Sequence, residues 1–325
     1  MQKFRNILVY VGGTNCVALD RAVSLAQHNN AKLTIMSVVH PPSRAFRVIS
    51  REQDIEDLKH FVIHSREEEL TALVDNHVPR AIDVEVLVRM GRPHVELIRQ
   101  VQTAGHDLLM KTAEGSGLLK RTIYGSTARD LMRQCPCPVW IVKPEHHRPF
   151  TRVLAAVDVE PDSDCEIHAG LNRRIMELAT SLAEREKAEL YVTHVWSLWA
   201  ESTLKNHISV SERLKLVTNQ KEASRRAFNE LLAPWGLSTR DPNVSMIKGV
   251  AEVMIPEIVD DSEIDLLVMG TICRTGLPGL VIGNTAERVL SAVDCSVLTL
   301  KPEGFVSTVS ISDEATESVA HGVAS

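Results

Sequence analysis

The sequence lacks the long apolar runs, targeting signals and catalytic signatures that would assign a function directly. It has no run of about 18 apolar residues, so no transmembrane helix is expected. The opening stretch MQKFRNILVYVGG has too short an apolar run for a secretory signal and no small-residue cleavage site. No GxSxG, HExxH or phosphate-loop GxxxxGK pattern occurs. Nothing in these motifs commits the chain to catalysis.

Excess positive charge and a regular cysteine framework are also missing. The formal net charge is −6, and no basic stripe of the kind that nucleic-acid-binding domains usually carry is visible. Six cysteines among 325 residues show no regular spacing, which fits a reducing compartment. We therefore expect a cytoplasmic protein with neither a nucleic acid nor a membrane as its partner.

One stretch of the sequence occurs twice. Asp107–Val142 and Asp265–Leu300 read alike, and each residue of the first copy lies 158 positions before its equivalent. A period of domain size predicts two tandem copies of one domain. We assign residues 1–147 to the first domain and 148–303 to the second. Residues 304–325 are rich in Ser, Val, Glu and Ala without periodicity, and are expected to form a disordered tail.

Within each copy, short apolar runs alternate with segments of helical periodicity. This alternation predicts an α/β fold with a doubly wound parallel sheet and helices on both faces. Ligands of such sheets bind outside the carboxyl ends of the strands, at the switch point. The closing strands Val139–Val142 and Ser296–Leu300 are apolar enough to pair edge to edge across the two copies. In the second copy, helices are expected at Asn172–Glu186, Ser211–Trp235 and Ala251–Asp260, the last with Pro256 inside it.

Several motifs resemble the universal stress protein family, and in particular its tandem E type from proteobacteria. These motifs are NILVYV and RVLAAVD, GSTARDLM and GNTAERVL, and the closing CPVWIVKP and CSVLTLKP. The resemblance covers about residues 3–303. It implies a cytoplasmic stress-response protein with an adenine-nucleotide alpha-hydrolase-like fold. It also implies that the two halves pair as a pseudo-dimer within one chain, with further self-association as an option.

Nucleotide-binding members of that family carry a loop with two spaced glycines, then a third glycine before Ser or Thr. Small residues let the backbone approach phosphates, and a helix N-terminus receives their charge. Both copies depart from this pattern. The first has Thr112, Gly115, Gly125 and Ser126 at these positions, and the second has Gly270, Cys273, Gly283 and Asn284.

The resemblance implies candidate residues for an ATP site in each half. The family tends to place Asp at the end of the first strand, near the ribose; the second copy keeps it as Asp158, where the first has Gly12. Asp158 could also hold a Mg²⁺ ion bound with ATP. The second-half candidates are Asp158, Val195, Gly270, Thr271, Gly283 and Asn284; the first-half candidates are Val38, Gly115, Gly125 and Ser126.

Structural explanations compete with each of these assignments. Gly125 and Gly283 could be present because the turn into the helix needs them, and Ser126 could serve only as its N-cap. Cys135 and Cys137, followed by two histidines, do not have a zinc-site spacing and suit the start of an apolar strand. We expect no metal site there.

Three functions remain open from the sequence. The leading hypothesis is a non-catalytic ligand-binding or regulatory stress protein. The second is a slow ATP hydrolase or another nucleotide-dependent enzyme, which the incomplete loops disfavour. The third is a protein-interaction module in which both sites are inactive.

Overall fold

The computed structural model describes residues 4–13, 16–43, 52–114, 124–145, 149–161, 166–204, 207–271 and 283–311. In the first half, strands and helices alternate as the sequence predicts. Their order is β1 (Asn6–Tyr10), α1 (Val17–Asn29), β2 (Lys32–Val39), α2 (Glu52–His77), β3 (Val84–Met90), α3 (Pro93–Ala104), β4 (Leu108–Thr112), α4 (Ser126–Gln134) and β5 (Val139–Val142).

Over the described residues, the second half repeats this order and has a further short helix after β7. Its elements are β6 (Arg152–Val157), α5 (Glu166–Glu186), β7 (Glu189–Trp196), α6 (Glu201–Leu204), α7 (Val210–Leu232), β8 (Val244–Lys248), α8 (Ala251–Asp261), β9 (Leu266–Gly270), α9 (Asn284–Ala292) and β10 (Ser296–Leu300). The prediction of an α/β fold in two tandem copies is confirmed.

Two helix boundaries differ from the sequence prediction by three residues or more, and one short helix was not predicted. Helix α5 begins at Glu166, six residues before the expected Asn172. Helix α7 ends at Leu232 and is followed by a single 3₁₀ turn, Ala233–Trp235, because proline at the second position of that turn cannot donate to the helix. The short helix α6 was not predicted, since four residues are too few to show a helical period.

All ten strands belong to one sheet in the order β3-β2-β1-β4-β5-β10-β9-β6-β7-β8. Strands within each half are parallel. The halves join through β5 and β10, which pair antiparallel with Trp140 opposite Leu298. The predicted edge-to-edge pairing of the closing strands is therefore confirmed. Every residue of both strands is buried, as expected for apolar strands covered on both faces.

Side chains join the halves on both faces of this junction. On one face, the guanidinium of Arg21 in α1 lies 3.6 Å from the centre of the Phe150 ring and 3.4 Å from the carboxylate of Glu186 in α5. On the other, the buried hydroxyl of Tyr124 donates to the carbonyl of Cys295 at 2.8 Å. The two copies thus form an intramolecular pseudo-dimer with one shared sheet and with hydrophobic core clusters that contain residues of both halves.

The segment after β10 returns to the first half. Arg99 in α3 donates to the carbonyl of Ser310 at 3.1 Å, and Thr308 donates to the side-chain oxygen of Gln134 at 3.1 Å. Residues 304–311, which the sequence assigned to a disordered tail, therefore make defined contacts. For residues 312–325, which lie outside the described part of the chain, the disordered tail stays a prediction.

Candidate functional site

The second half contains a cavity of about 520 Å³ at the carboxyl ends of β6, β7 and β9. Strand β6 lies between β7 and β9 in the sheet. The chain runs from β6 to β7 and β8 on one side, then crosses to β9 and β10 on the other. This reversal of strand order is a switch point, at which a crevice opens. The volume falls within the range of about 300–1,000 Å³ that is usual for small-molecule sites. Apolar side chains of three helices, α5, α8 and α9, form much of its wall: Leu171, Ile175, Ala251, Ile255, Ala286 and Val289.

Asp158 stands on the rim of this cavity, directly after β6. Its carboxylate is exposed, and its main chain is held on both sides by the buried side chain of Asn172. The N–H of Asp158 donates to the Asn172 amide oxygen at 3.0 Å, and the Asn172 amide nitrogen donates to the Asp158 carbonyl at 2.7 Å. These two hydrogen bonds with the Asn172 side chain fix the main-chain position of Asp158. Asp158 is therefore held at the cavity rim by its main chain.

The end of β6 is also supported from β7 by His194, which is 1% exposed. Its Nδ1 lies 3.3 Å from the carbonyl of Val157 and 3.4 Å from the N–H of Val159. The ring packs against Phe228 of α7, with ring centres 5.6 Å apart. The neighbouring side chains of β7, Thr193 and Val195, line the cavity. His194 thus acts as a structural residue that shapes the strand end.

The two candidate glycines of the second half line the cavity for different reasons. At Gly270, an added Cβ would lie 2.8 Å from Leu171 of α5, so the glycine lets this helix pack close to β9. Gly283 is the N-cap residue of α9 and has a φ of −62°, which any residue can adopt. The turn therefore does not require glycine at 283. A backbone without a side chain at this helix start leaves room for a ligand group to approach.

Thr271 is a predicted site residue that the structure places elsewhere. It is fully buried and is absent from the cavity wall. Its hydroxyl accepts a hydrogen bond from the ammonium of Lys301, and its carbonyl accepts one of 2.8 Å from the N–H of Gly283. Thr271 therefore anchors the chain on both sides of residues 272–282, which include Cys273 and lie outside the described structure.

Ser126 and Asn284 are the first residues of their helices and not the N-cap residues. Helix α4 begins at Ser126 and helix α9 begins at Asn284, so the N-cap positions belong to Gly125 and Gly283, and neither cap makes a side-chain hydrogen bond. Ser126 and Asn284 are exposed first-turn residues, and Asn284 does not line the cavity. The alternative in which Ser126 serves as the N-cap was therefore wrong by one position.

The first-half candidates do not form a comparable site among the described residues. Val38 is buried in the core, Ser126 is exposed, and Gly115 lies outside the described residues. Gly125 has a φ of +83°, so the turn into α4 does favour glycine there. A first-half cavity of about 330 Å³ lies between the ends of β2 and β3 and helix α2. Its wall is made by Val39, His40, Pro42, Ser43, Leu58, Lys59, Val62 and Met90.

The cysteines of the Cys-Pro-Cys-Pro stretch are buried thiols. The sulfur atoms of Cys135 and Cys137 lie 3.5 Å apart, and burial raises the pKa of Cys137 well above its usual value. Among the described residues, no group of three or more His, Cys, Asp or Glu side chains could hold a metal ion. His146 and His147 lie outside that part of the chain. These thiols belong to the packed junction between the halves.

Sequence reasoning missed several polar residues of the cavity. They are His168 and Asn172 of α5, Thr193 and Ser197 of β7 and its following loop, and Thr285 of α9. The sequence placed the start of α5 near Asn172, which obscured the fact that His168 belongs to the same helix face. The Gly249-Val250 turn after β8, equivalent in position to Gly91-Arg92, also lines the cavity and was a detectable signal.

Two like α/β domains in one continuous sheet, with a ligand-sized cavity at a switch point, define a tandem duplicated α/β protein. The chain belongs to the universal stress protein family: the family profile, described as "Universal stress protein family", matches residues 3–143 and 149–301. None of the helices in the described part of the chain is long and apolar enough to cross a membrane.

Two relatives match this chain over nearly its whole length. The chain is 26% identical over 310 residues to "Universal stress protein E" of Photorhabdus laumondii, covering 94% of this chain and 97% of that protein. It is 26% identical over 319 residues to the protein of the same name from Escherichia coli K12, covering 97% and 99%. Among solved structures, Pseudomonas aeruginosa PA1789, titled as functionally unknown, aligns with a TM-score of 0.67 and 27% identity, covering 92% and 93%.

Proposed function

We propose that this protein is a non-catalytic ligand-binding member of the stress response whose small-molecule site is the cavity of the second half. The observation that carries the proposal is the cavity of about 520 Å³ between Asp158 and the start of α9. A protein that acted only through its surfaces would need no such internal space. The proposed setting is the cytoplasm, in line with the described cysteines, which are thiols.

The chemistry of the cavity suits an adenosine nucleotide. Asp158 offers a carboxylate that can accept hydrogen bonds from ribose hydroxyls. At the opposite side, the first N–H groups of the nine-residue helix α9 carry partial positive charge, which favours a phosphate group. Ile255, Met269 and Val289 supply apolar surface for a base. With ATP bound, Asp158 could also receive a Mg²⁺ ion.

The same cavity gives little support to an ATP hydrolase. Asp158 and His168 are the ionisable residues of its described wall, and no described lysine or arginine lines it to stabilise charge on a transferring phosphoryl group. A ligand could therefore be held without being turned over, and the output would be a change in conformation or in partner binding.

Isothermal titration calorimetry with Mg-ATP, with native mass spectrometry of the freshly purified protein, tests the proposal. We expect an adenosine nucleotide to bind, and Asp158→Ala to weaken binding at least tenfold. Asp75→Ala, which removes an exposed carboxylate from α2, is the matched control and should bind as the wild type does. Absence of nucleotide binding, or steady ATP turnover that Asp158→Ala abolishes, would overturn the proposal.

A further inference from the structure

In the first half, the Tyr10 side chain occupies the place where the second half has the open cavity rim at Asp158. Tyr10 is the equivalent of Ala156, and Gly12 is the equivalent of Asp158, each pair being 146 positions apart. The Tyr10 ring lies over Gly12 so closely that an added Cβ at Gly12 would be 2.8 Å from the phenol oxygen. The ring thus takes the space in which a side chain at position 12 would stand. It excludes an acidic residue such as Asp158 from this half.

An ion pair between the buried ammonium of Lys111 and the exposed carboxylate of Glu114 extends this closure across the end of β4. Lys111 is 2% exposed and occupies the place of Met269, which lines the second-half cavity. Its ammonium donates to Glu114 at 2.8 Å and lies 6.0 Å from the centre of the Tyr10 ring. Burial lowers the pKa of Lys111, although the Glu114 carboxylate opposes that effect.

The other carboxylate oxygen of Glu114 lies against the start of α4. An added Cβ on Gly125, the N-cap residue of this helix, would be 2.5 Å from that oxygen. The start of α4 corresponds to the start of α9, which faces the second-half cavity. Glu114 therefore places the chain's own negative charge beside the helix end where a ligand's anionic group would be received.

Arg66 closes the end of β1 from the direction of α2. It donates to the carbonyl of Val11 at 3.1 Å and to the hydroxyl of Ser37 at 2.9 Å. Burial raises the pKa of Tyr10, the charge of Glu114 raises it further, and Arg66 lowers it. Tyr10, Glu114 and Arg66 are therefore close enough to interact electrostatically at one strand end.

We propose that Tyr10, with the Lys111–Glu114 pair, is an internal substitute for a ligand and restricts binding to the second half. The first half keeps the same fold, but the Tyr10 ring occupies the place that corresponds to the Asp158 rim, and the Glu114 carboxylate lies against the start of α4. The chain therefore takes up one ligand molecule, although it contains two copies of the domain. This inference rests on the proposed function for the identity of the ligand, and not for the closure itself.

Binding stoichiometry with Mg-ATP tests the restriction. The wild type should bind one nucleotide per chain, and Asp158→Ala should weaken that binding at least tenfold. The triple variant Tyr10→Ala, Gly12→Asp, Glu114→Ala transplants the second-half rim and should bind two. In the Asp158→Ala background, the same triple variant should bind one. Two nucleotides on the wild type, or a triple variant that folds and still binds one, would overturn the proposal.

A thermal-stability cycle tests the closure without any ligand. Gly12→Ala should lower the melting temperature of the wild type, because the new methyl group meets the Tyr10 ring, and should be harmless in the Tyr10→Ala background. Equal effects in both backgrounds would show that the ring does not fill this space, and the inference would fail. If the cycle shows the expected coupling while the wild type binds no nucleotide, the closure stands and only the proposed ligand is wrong.

Discussion

The ammonium of Lys301, just after β10, donates a hydrogen bond of 2.6 Å to the main-chain carbonyl of Met132 in α4 of the other half. It also donates to the hydroxyl of Thr271. The side chain is buried, and desolvation lowers the pKa of Lys301 to about 7, with a smaller opposing effect from Cys135. One buried amine therefore links a helix end of the first half to the chain beside the second-half cavity.

Lys301 predicts a specific pH dependence of stability. Its ordinary pKa is 10.5, so between about pH 7 and pH 10.5 the unfolded chain binds more protons than the folded protein. The free energy of unfolding should therefore rise with pH across this window. At about pH 7 and below, the destabilisation caused by burying the charged amine should be at its largest. Lys301→Met should remove this pH dependence, which amounts to a change in unfolding free energy on the order of a few kcal/mol across the window. Urea denaturation at pH 7, 8 and 9 measures the difference between the two proteins.

The exposed Lys215→Met in α7 controls for the loss of one positive charge. If Lys301→Met and the wild type keep parallel pH profiles, the amine is not held in an environment that penalises its charge.

The Arg21–Glu186 contact predicts how strongly the halves depend on each other. Both side chains are about nine-tenths buried, and Glu186 also accepts a hydrogen bond from the N–H of Phe150. Arg21→Met should destabilise the protein by about 3 kcal/mol, because it leaves a buried carboxylate with weaker compensation. Adding Glu186→Gln should restore part of this loss, since the neutral amide still accepts the Phe150 N–H.

Chemical denaturation of the four proteins in this cycle gives the coupling energy. Arg288→Met, which breaks the surface contact with Glu252, should cost at most about 1 kcal/mol and serves as the exposed comparison. Additive effects of Arg21→Met and Glu186→Gln would mean that the buried contact does not bind the halves together.

Asn172 predicts a link between stability and ligand affinity. Asn172→Ala removes two hydrogen bonds to the main chain of Asp158 and should cost about 1–3 kcal/mol. It should also weaken nucleotide binding, because the rim carboxylate is no longer fixed. Calorimetric titration combined with urea denaturation separates the two effects. Gln220→Ala, which removes an amide from α7 away from the cavity, should leave the affinity unchanged; equal affinities for all three proteins would contradict the assignment.

The sequence predicted most of the fold because the relevant signals are local. Apolar runs predicted the bounds of β5 and β10 to the residue, and the apolar character of both strands indicated that they would pair edge to edge. Asp158, Val195, Gly270 and Gly283 line one cavity, because the carboxyl ends of β6, β7 and β9 meet the start of α9 there. That these residues bind a nucleotide stays a prediction.

What local pattern could not show was the direction of side chains and their distant contacts. Thr271 turns into the protein because Lys301, 30 positions later, reaches it. Tyr10 looks like an ordinary strand residue in the sequence, and only the packed structure shows its ring over Gly12. Such features depend on which elements become neighbours, and no window of the sequence contains that information.

The antiparallel pairing of β5 with β10 determines where the strand ends of the two halves lie. Because the strands of the two halves run in opposite directions, the carboxyl ends of the first set of parallel strands and those of the second lie at opposite edges of the sheet. The Tyr10–Gly12 contact and the cavity beside Asp158 therefore face away from each other. A partner bound at one of these edges would leave the other edge uncovered.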